Sequence, residues 1–225
     1  MRLNLIKKNI LEDSITYNVI KITKNKRIYK NNVEIQGRIF SKNNVLSNFS
    51  KDNYAYIDSI PSDINNFEIQ FKFTTGNNVT TNQVIIGQKL NNYQTPQIVI
   101  YSNTLRLIAS ATGSSWDAGI WADYTIQPNS NYIVNYFWDG ERISGILTDE
   151  SGNIAQFYPY GSYTDKINEI QWIDNIEIGL DQTISTPFFG TIDLKDCYIN
   201  INNSLWWNGV IEQGEELVDT YNATF

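Results

Sequence analysis

The segment from Tyr132 to Tyr158 restricts the fold more than any other part of this chain. Tyr132-Ile133-Val134-Asn135-Tyr136-Phe137-Trp138 is rich in β-branched and aromatic residues and runs into Asp139-Gly140. Both turn positions tolerate positive φ, which is what a two-residue hairpin turn requires. Arg142 to Leu147 returns, Asp149-Glu150-Ser151-Gly152-Asn153 makes a second turn, and Ile154 to Tyr158 runs out again. The expectation is a three-stranded antiparallel meander. An antiparallel meander of this kind packs one face on a core, so the rest of the chain is expected to cover its apolar face.

The remaining segments supply that cover. Phe67-Glu68-Ile69-Gln70-Phe71-Lys72-Phe73 alternates apolar and polar residues, the signature of a half-buried strand. Further strands are expected at Gln83–Gly87, Gln97–Tyr101, Leu105–Ala109, Asn175–Gly179, Gly190–Ile199 and Leu205–Trp207. Strands at short spacing with polar turns, and no convincing long amphipathic helix, predict an all-β fold: a two-sheet antiparallel β-sandwich. Cys197 is the single cysteine, so no intramolecular disulfide can form and the fold rests on apolar packing.

Histidine is absent. That removes the commonest general base and the commonest zinc ligand, and with one cysteine it speaks against a structural zinc site. A serine-nucleophile enzyme lacks its base, and no Gly-x-Ser-x-Gly elbow occurs. No apolar targeting segment follows Met1, and no stretch approaches a membrane span, so a soluble chain without membrane insertion is expected.

Charge is unevenly distributed. Residues 1–36 carry eight Lys/Arg against three Asp/Glu, while the remainder carries nine against twenty-one. We read 1–36 as a basic arm or attachment segment and 37–225 as the sandwich. A basic arm suits docking on an acidic surface, the alternative being a solvated face on an ordinary first strand or helix, and the acidity of the body disfavours nucleic acid as a partner.

The order of the pieces resembles the concanavalin A-like (laminin G-like) lectin and glucanase superfamily. The resemblance rests on Phe49–Ile57 before the Pro61 loop, the Phe67–Phe73 strand, Asn129–Trp138 with Asp139-Gly140, and Ile176–Gly179 before Phe189–Leu194. The last part, Gly190–Ile199 followed by Leu205-Trp206-Trp207-Asn208-Gly209-Val210, resembles tail- or head-associated structural proteins of bacteriophages. This resemblance implies a curved jelly roll carried on a virion, attached to other virion proteins through 1–36, in several copies, and touching host-surface glycans or decorating the particle.

Glucanases of the superfamily set two carboxylates on one strand face, and retaining chemistry needs them about 5–5.5 Å apart. Here Glu169, Asp174 and Glu177 are spaced by five and three residues, so neighbouring pairs do not share a face. Catalysis is therefore not expected, and no cofactor is implied. Asp149–Asn153 and Asp181-Gln182 group oxygen donors, but such clusters are usually turns, so no metal is expected.

Aromatics are the better candidates, because sugar C–H faces stack on Trp and Tyr while hydroxyls need Asn, Asp or Gln. Trp116, Asp117, Trp121 and Tyr124, with Tyr93 in a second loop, form the expected ligand-binding patch. The alternative is that Trp116 and Trp121 fill core space. Trp138 is expected in the packing, and Trp206-Trp207 on opposite faces of a regular strand.

Overall fold

The computed structural model describes residues 21–22, 45–50, 54–58, 60–87, 89–90, 93–94, 96–172, 175–180 and 187–209. Except for Lys21–Ile22, the arm assigned to 1–36 lies outside these residues, as do Asp174, Asp181 and Gln182. The strands are β1 (Lys21–Ile22), β2 (Val45–Leu46), β3 (Ala55–Asp58), β4 (Phe67–Thr74), β5 (Gln83–Gly87), β6 (Lys89–Leu90), β7 (Tyr93–Gln94), β8 (Gln97–Tyr101) and β9 (Thr104–Ala109). They continue as β10 (Ala118–Thr125), β11 (Asn131–Trp138), β12 (Ile143–Asp149), β13 (Ile154–Pro159), β14 (Asn175–Ile178), β15 (Thr191–Asp193), β16 (Tyr198–Ile201) and β17 (Ser204–Trp207). The described residues contain no α-helix.

Hydrogen bonding runs β1-β3-β14-β5-β8-β9-β10-β13-β12-β11-β4-β15-β2, with β16 also on β4 and β17 on β16; β6 and β7 form a separate ribbon. The expected sandwich is present as one sheet curled on itself. Its two halves meet at β13, whose first residues pair with β12 and whose last residues pair with β10. All strand pairs in it are antiparallel except β1 with β3.

The halves press their apolar faces together. β4 alternates buried and half-buried along its whole length, with Phe67, Ile69, Phe71 and Phe73 inward. Phe67 meets Tyr136 edge-on at 5.1 Å, and Phe71 stacks on Trp207 at 5.8 Å. Contact across the core is direct. The Tyr136 hydroxyl donates to the Ile108 carbonyl at 3.2 Å, a bond from β11 to β9 that satisfies a fully buried phenol. Each large side chain so buried contributes about 1.5–3 kcal/mol.

The meander forms as expected, with one shift in its first turn. The tip residues are Gly140 and Glu141 rather than Asp139 and Gly140, because the Asp139 carboxylate takes the place of its backbone carbonyl in the turn: Oδ1 accepts from the Glu141 and Arg142 amides at 2.8 and 2.7 Å. Gly140, at φ 97°, takes the positive φ of the first tip position. The strand expected over Gly190–Ile199 is broken by a 3₁₀ turn at Leu194–Asp196, capped by the Asp193 carboxylate on the Lys195 amide. Trp206 and Trp207 are both buried instead of pointing apart. The pairing of β16 with β17 skips Trp206, and this β-bulge turns both indoles inward. Trp138 is core as expected, and its Nε1 donates to the Ile167 carbonyl at 2.7 Å.

Candidate functional site

Alternation along β5, β8, β9, β10 and β13 sends one set of side chains into the core and the other to the outer face. Ile85, Ile98, Leu105, Leu107 and Ile120 are inward. The register places Val84, Val99, Arg106, Trp121 and Tyr158 side by side across the outer face. Large aromatics on this face are not needed by the core.

At one end of the row they form a stack. Trp121 lies against Tyr160 with ring centroids 5.2 Å apart and planes inclined by 28°, and against Tyr163 at 5.3 Å. The Arg106 guanidinium sits 3.6 Å from the Tyr101 ring centroid and 4.6 Å from that of Trp121. Trp121 is the floor of the cluster, 8% exposed, whereas Tyr160 and Tyr158 are 63% and 56% exposed. Gly119 makes room for the indole: a Cβ there would lie 2.7 Å from Trp121 Cζ3.

The segment carrying the tyrosines is fastened on both sides. The Gly119 amide donates to the Thr164 carbonyl at 2.9 Å, the Ile143 amide to Asp165 at 2.8 Å and the Ile167 amide to Glu141 at 2.9 Å. A turn at Tyr160–Tyr163 is closed by the Tyr163 amide on the Tyr160 carbonyl. The rings are thus presented by a braced connection, which lowers the entropy lost when a ligand settles on them.

Arg106 is electrostatically unusual. Burial pushes its pKa down, with the neighbouring tyrosines Tyr101, Tyr163 and Tyr160 acting in the opposite direction. Its Nε and the Trp121 Nε1 are buried without a hydrogen-bond partner. Arg142 and Lys72, in contrast, hold carboxylates: Asp165 at 2.8 Å for the first, Asp196 at 2.6 Å and Asp193 at 3.3 Å for the second.

The residues expected to form a ligand patch are divided by the fold. Trp116 and Trp121 share the outer face, but Trp116 packs half-buried on Val84, Val99 and Ile108, away from the tyrosine stack. Asp117 organises the loop before β10, accepting from the Ala111 amide at 2.7 Å and from the Ser115 and Ser110 hydroxyls at 2.9 and 3.1 Å. Burial alone would raise its carboxyl, but these bonds outweigh burial and hold it below its ordinary value. Tyr124 turns inward, donating to Asp149 at 3.0 Å and packing edge-on to Tyr132. That bond, followed by burial, pushes its hydroxyl up to about 12. Tyr93 belongs to the small β6–β7 ribbon, and its side chain lies outside the description.

Tyr158, Tyr160, Tyr163, Tyr101 and Arg106 were not singled out by sequence. The signal was Tyr158-Pro159-Tyr160-Gly161-Ser162-Tyr163, three tyrosines in six residues at a strand end.

The acidic groups are dispersed. Glu177 is buried on β14, and Glu169 is exposed. Asp149 is enclosed by its own turn, accepting from the Ser151 and Asn153 amides and the Asn153 side chain. On the opposite outer face, a cleft of about 510 Å³ is lined by Asn66, Phe67, Glu68, Phe137, Asn200 and Asn203, among others. The Glu68 carboxylate there accepts from the Tyr198 hydroxyl and from Asn200 Nδ2.

No protein-family model matches the sequence, and no curated protein matches it. Among solved structures, the LG1-3 region of the laminin alpha2 chain superposes with a TM-score of 0.51 at 11% identity, over 81% of this chain and 35% of that one. This chain therefore spans about a third of that laminin structure. Domains LG4-5 of the mouse laminin alpha1 chain give 0.46 at 11% identity over 69% and 40%, and the CBM40 of the Ruminococcus gnavus IT-sialidase gives 0.44 at 14% over 63% and 78%. Identity this low speaks to fold alone. The chain has the laminin G-like, concanavalin A-like jelly-roll fold.

Proposed function

We propose that this chain is a non-catalytic glycan-contact module that binds through the aromatic face of β9, β10 and β13. The observation that carries the reading is the stack of Trp121 with Tyr160 and Tyr163, left open to solvent on a face that the core does not need. Rings of this kind offer the flat apolar surface on which a sugar C–H face settles, with hydroxyls at the rim for hydrogen bonds. The contrast between the exposed Glu169 and the buried Glu177 supports binding over hydrolysis by a paired set of carboxylates.

We place the module on a bacteriophage particle, with residues 1–36 as its attachment to other virion proteins. Support comes from the resemblance over Gly190–Ile199 and Leu205–Val210 and from the basic charge of 1–36. Display in several copies turns weak single sites into firm attachment through avidity.

The full chain coupled to fluorescent beads tests the binding role. Beads should bind host cells and lose binding when surface polysaccharide is stripped, and Tyr160→Ala should reduce binding without altering the fold. If stripped and intact cells bind equally, or if neither binds, the glycan role is wrong. The competing structural role has its own support, since exposed tyrosines also suit subunit interfaces. Under that role Tyr160→Ala changes the oligomeric state and leaves cell binding unaffected.

A further inference from the structure

Resting on the glycan reading, we infer that the Arg106 site selects sugars bearing a carboxylate, with Arg106 pairing the acid while Tyr160 and its neighbours support the ring. Arg106 makes no ion pair with a carboxylate among the described residues, although Arg142 and Lys72 both do. Its guanidinium is held against the Tyr101 ring at 3.6 Å and the Trp121 ring at 4.6 Å. The buried Nε has no hydrogen-bond partner, so the terminal nitrogens are the part left for a ligand. A positioned, partly dehydrated guanidinium is a stronger partner for a planar carboxylate than a fully hydrated one, and its fork matches both acid oxygens.

The surrounding charge narrows the ligand further. From residue 37 onward the chain carries nine Lys/Arg against twenty-one Asp/Glu. That excess repels a densely charged polyanion at long range. The fitting ligand is therefore a mostly neutral oligosaccharide with isolated uronic or sialic-type acid residues, whose single carboxylate meets Arg106 within a Debye length of about 8–10 Å.

The test uses the full chain and oligosaccharides carrying one terminal uronic or sialic acid, each beside its carboxyl-reduced form, with affinities measured by biolayer interferometry. Native forms should bind about tenfold or more tightly than reduced forms, the scale of one charge-assisted hydrogen bond. Arg106→Gln should erase that difference, and Arg106→Lys, which keeps charge without the planar fork, should restore only part of it. Circular dichroism checks that each variant is folded, and the comparison of native with reduced sugar in the unaltered chain stands even if a variant is not. Equal binding of native and reduced forms overturns the acid preference and leaves the glycan role standing. No binding to any sugar overturns both.

Discussion

Gly119→Ala isolates the physical basis of the aromatic face. Gly119 lies inside β10, has no positive φ, and donates its amide to the Thr164 carbonyl, which alanine preserves. Only space opposes the substitution. The added Cβ would sit 2.7 Å from Trp121 Cζ3 and 3.2 Å from Ile108 Cγ2, the first closer than such contacts allow. The indole must move, and Tyr160 and Tyr163, 5.2 and 5.3 Å away, lose their stacking partner. Overpacking of this kind costs about 1–3 kcal/mol, against about 0.5–1 kcal/mol gained by removing a glycine from a strand. The net expectation is about 0–2.5 kcal/mol of destabilisation, which lowers Tm by up to about 10 °C in a chain of this size. Urea titration with a double-mutant cycle gives the decisive readout. With Trp121→Leu already in place the main obstacle is gone, and Gly119→Ala should then be neutral or stabilising. Equal destabilisation in both backgrounds would show that the indole is not what makes glycine necessary.

Two further perturbations probe the frame around the site. Gln83, fully buried, donates from Nε2 to the Asn78 carbonyl at 2.7 Å and accepts from the Phe189 amide at 3.0 Å, so Gln83→Leu orphans two backbone groups. A loss of about 2–4 kcal/mol is expected in urea titration, and no change would show that water or rearrangement replaces both bonds. The carboxyls of Asp117 and Asp139 both lie below their ordinary value, the latter chiefly through the Glu141 and Arg142 amides. A depressed folded pKa gives stability that is present above the unfolded value of about 4 and is lost as pH falls through the folded value. Acid titration should therefore show stability declining below about pH 4, with a shallower decline in Asp139→Asn; an unchanged slope would mean that Asp139 contributes nothing to it.

The local turns and strands were legible because their determinants are local. Phe67–Phe73 reads as a strand from alternation alone, and the meander from Tyr132 to Tyr158 follows from β-branched runs separated by turn residues. Departures occurred where a side chain replaced a backbone partner or where a bulge broke the strand register. The Asp139 carboxylate moved the hairpin tip by one residue, Asp193 capped a 3₁₀ turn inside an expected strand, and the bulge at Trp206 turned both indoles inward.

The chain by itself determined an all-β antiparallel sandwich, because periodicity and turn chemistry are written in neighbouring residues. It also removed histidine chemistry outright. The aromatic face was decided by tertiary structure. Tyr101, Arg106, Trp121, Tyr160 and Tyr163 come from separate strands and a connecting turn, and they meet because β8, β9, β10 and β13 lie side by side in one sheet. Sequence marks each strand's two faces. Which face turns outward, and which strands become neighbours, is settled only when the sheet closes over its core.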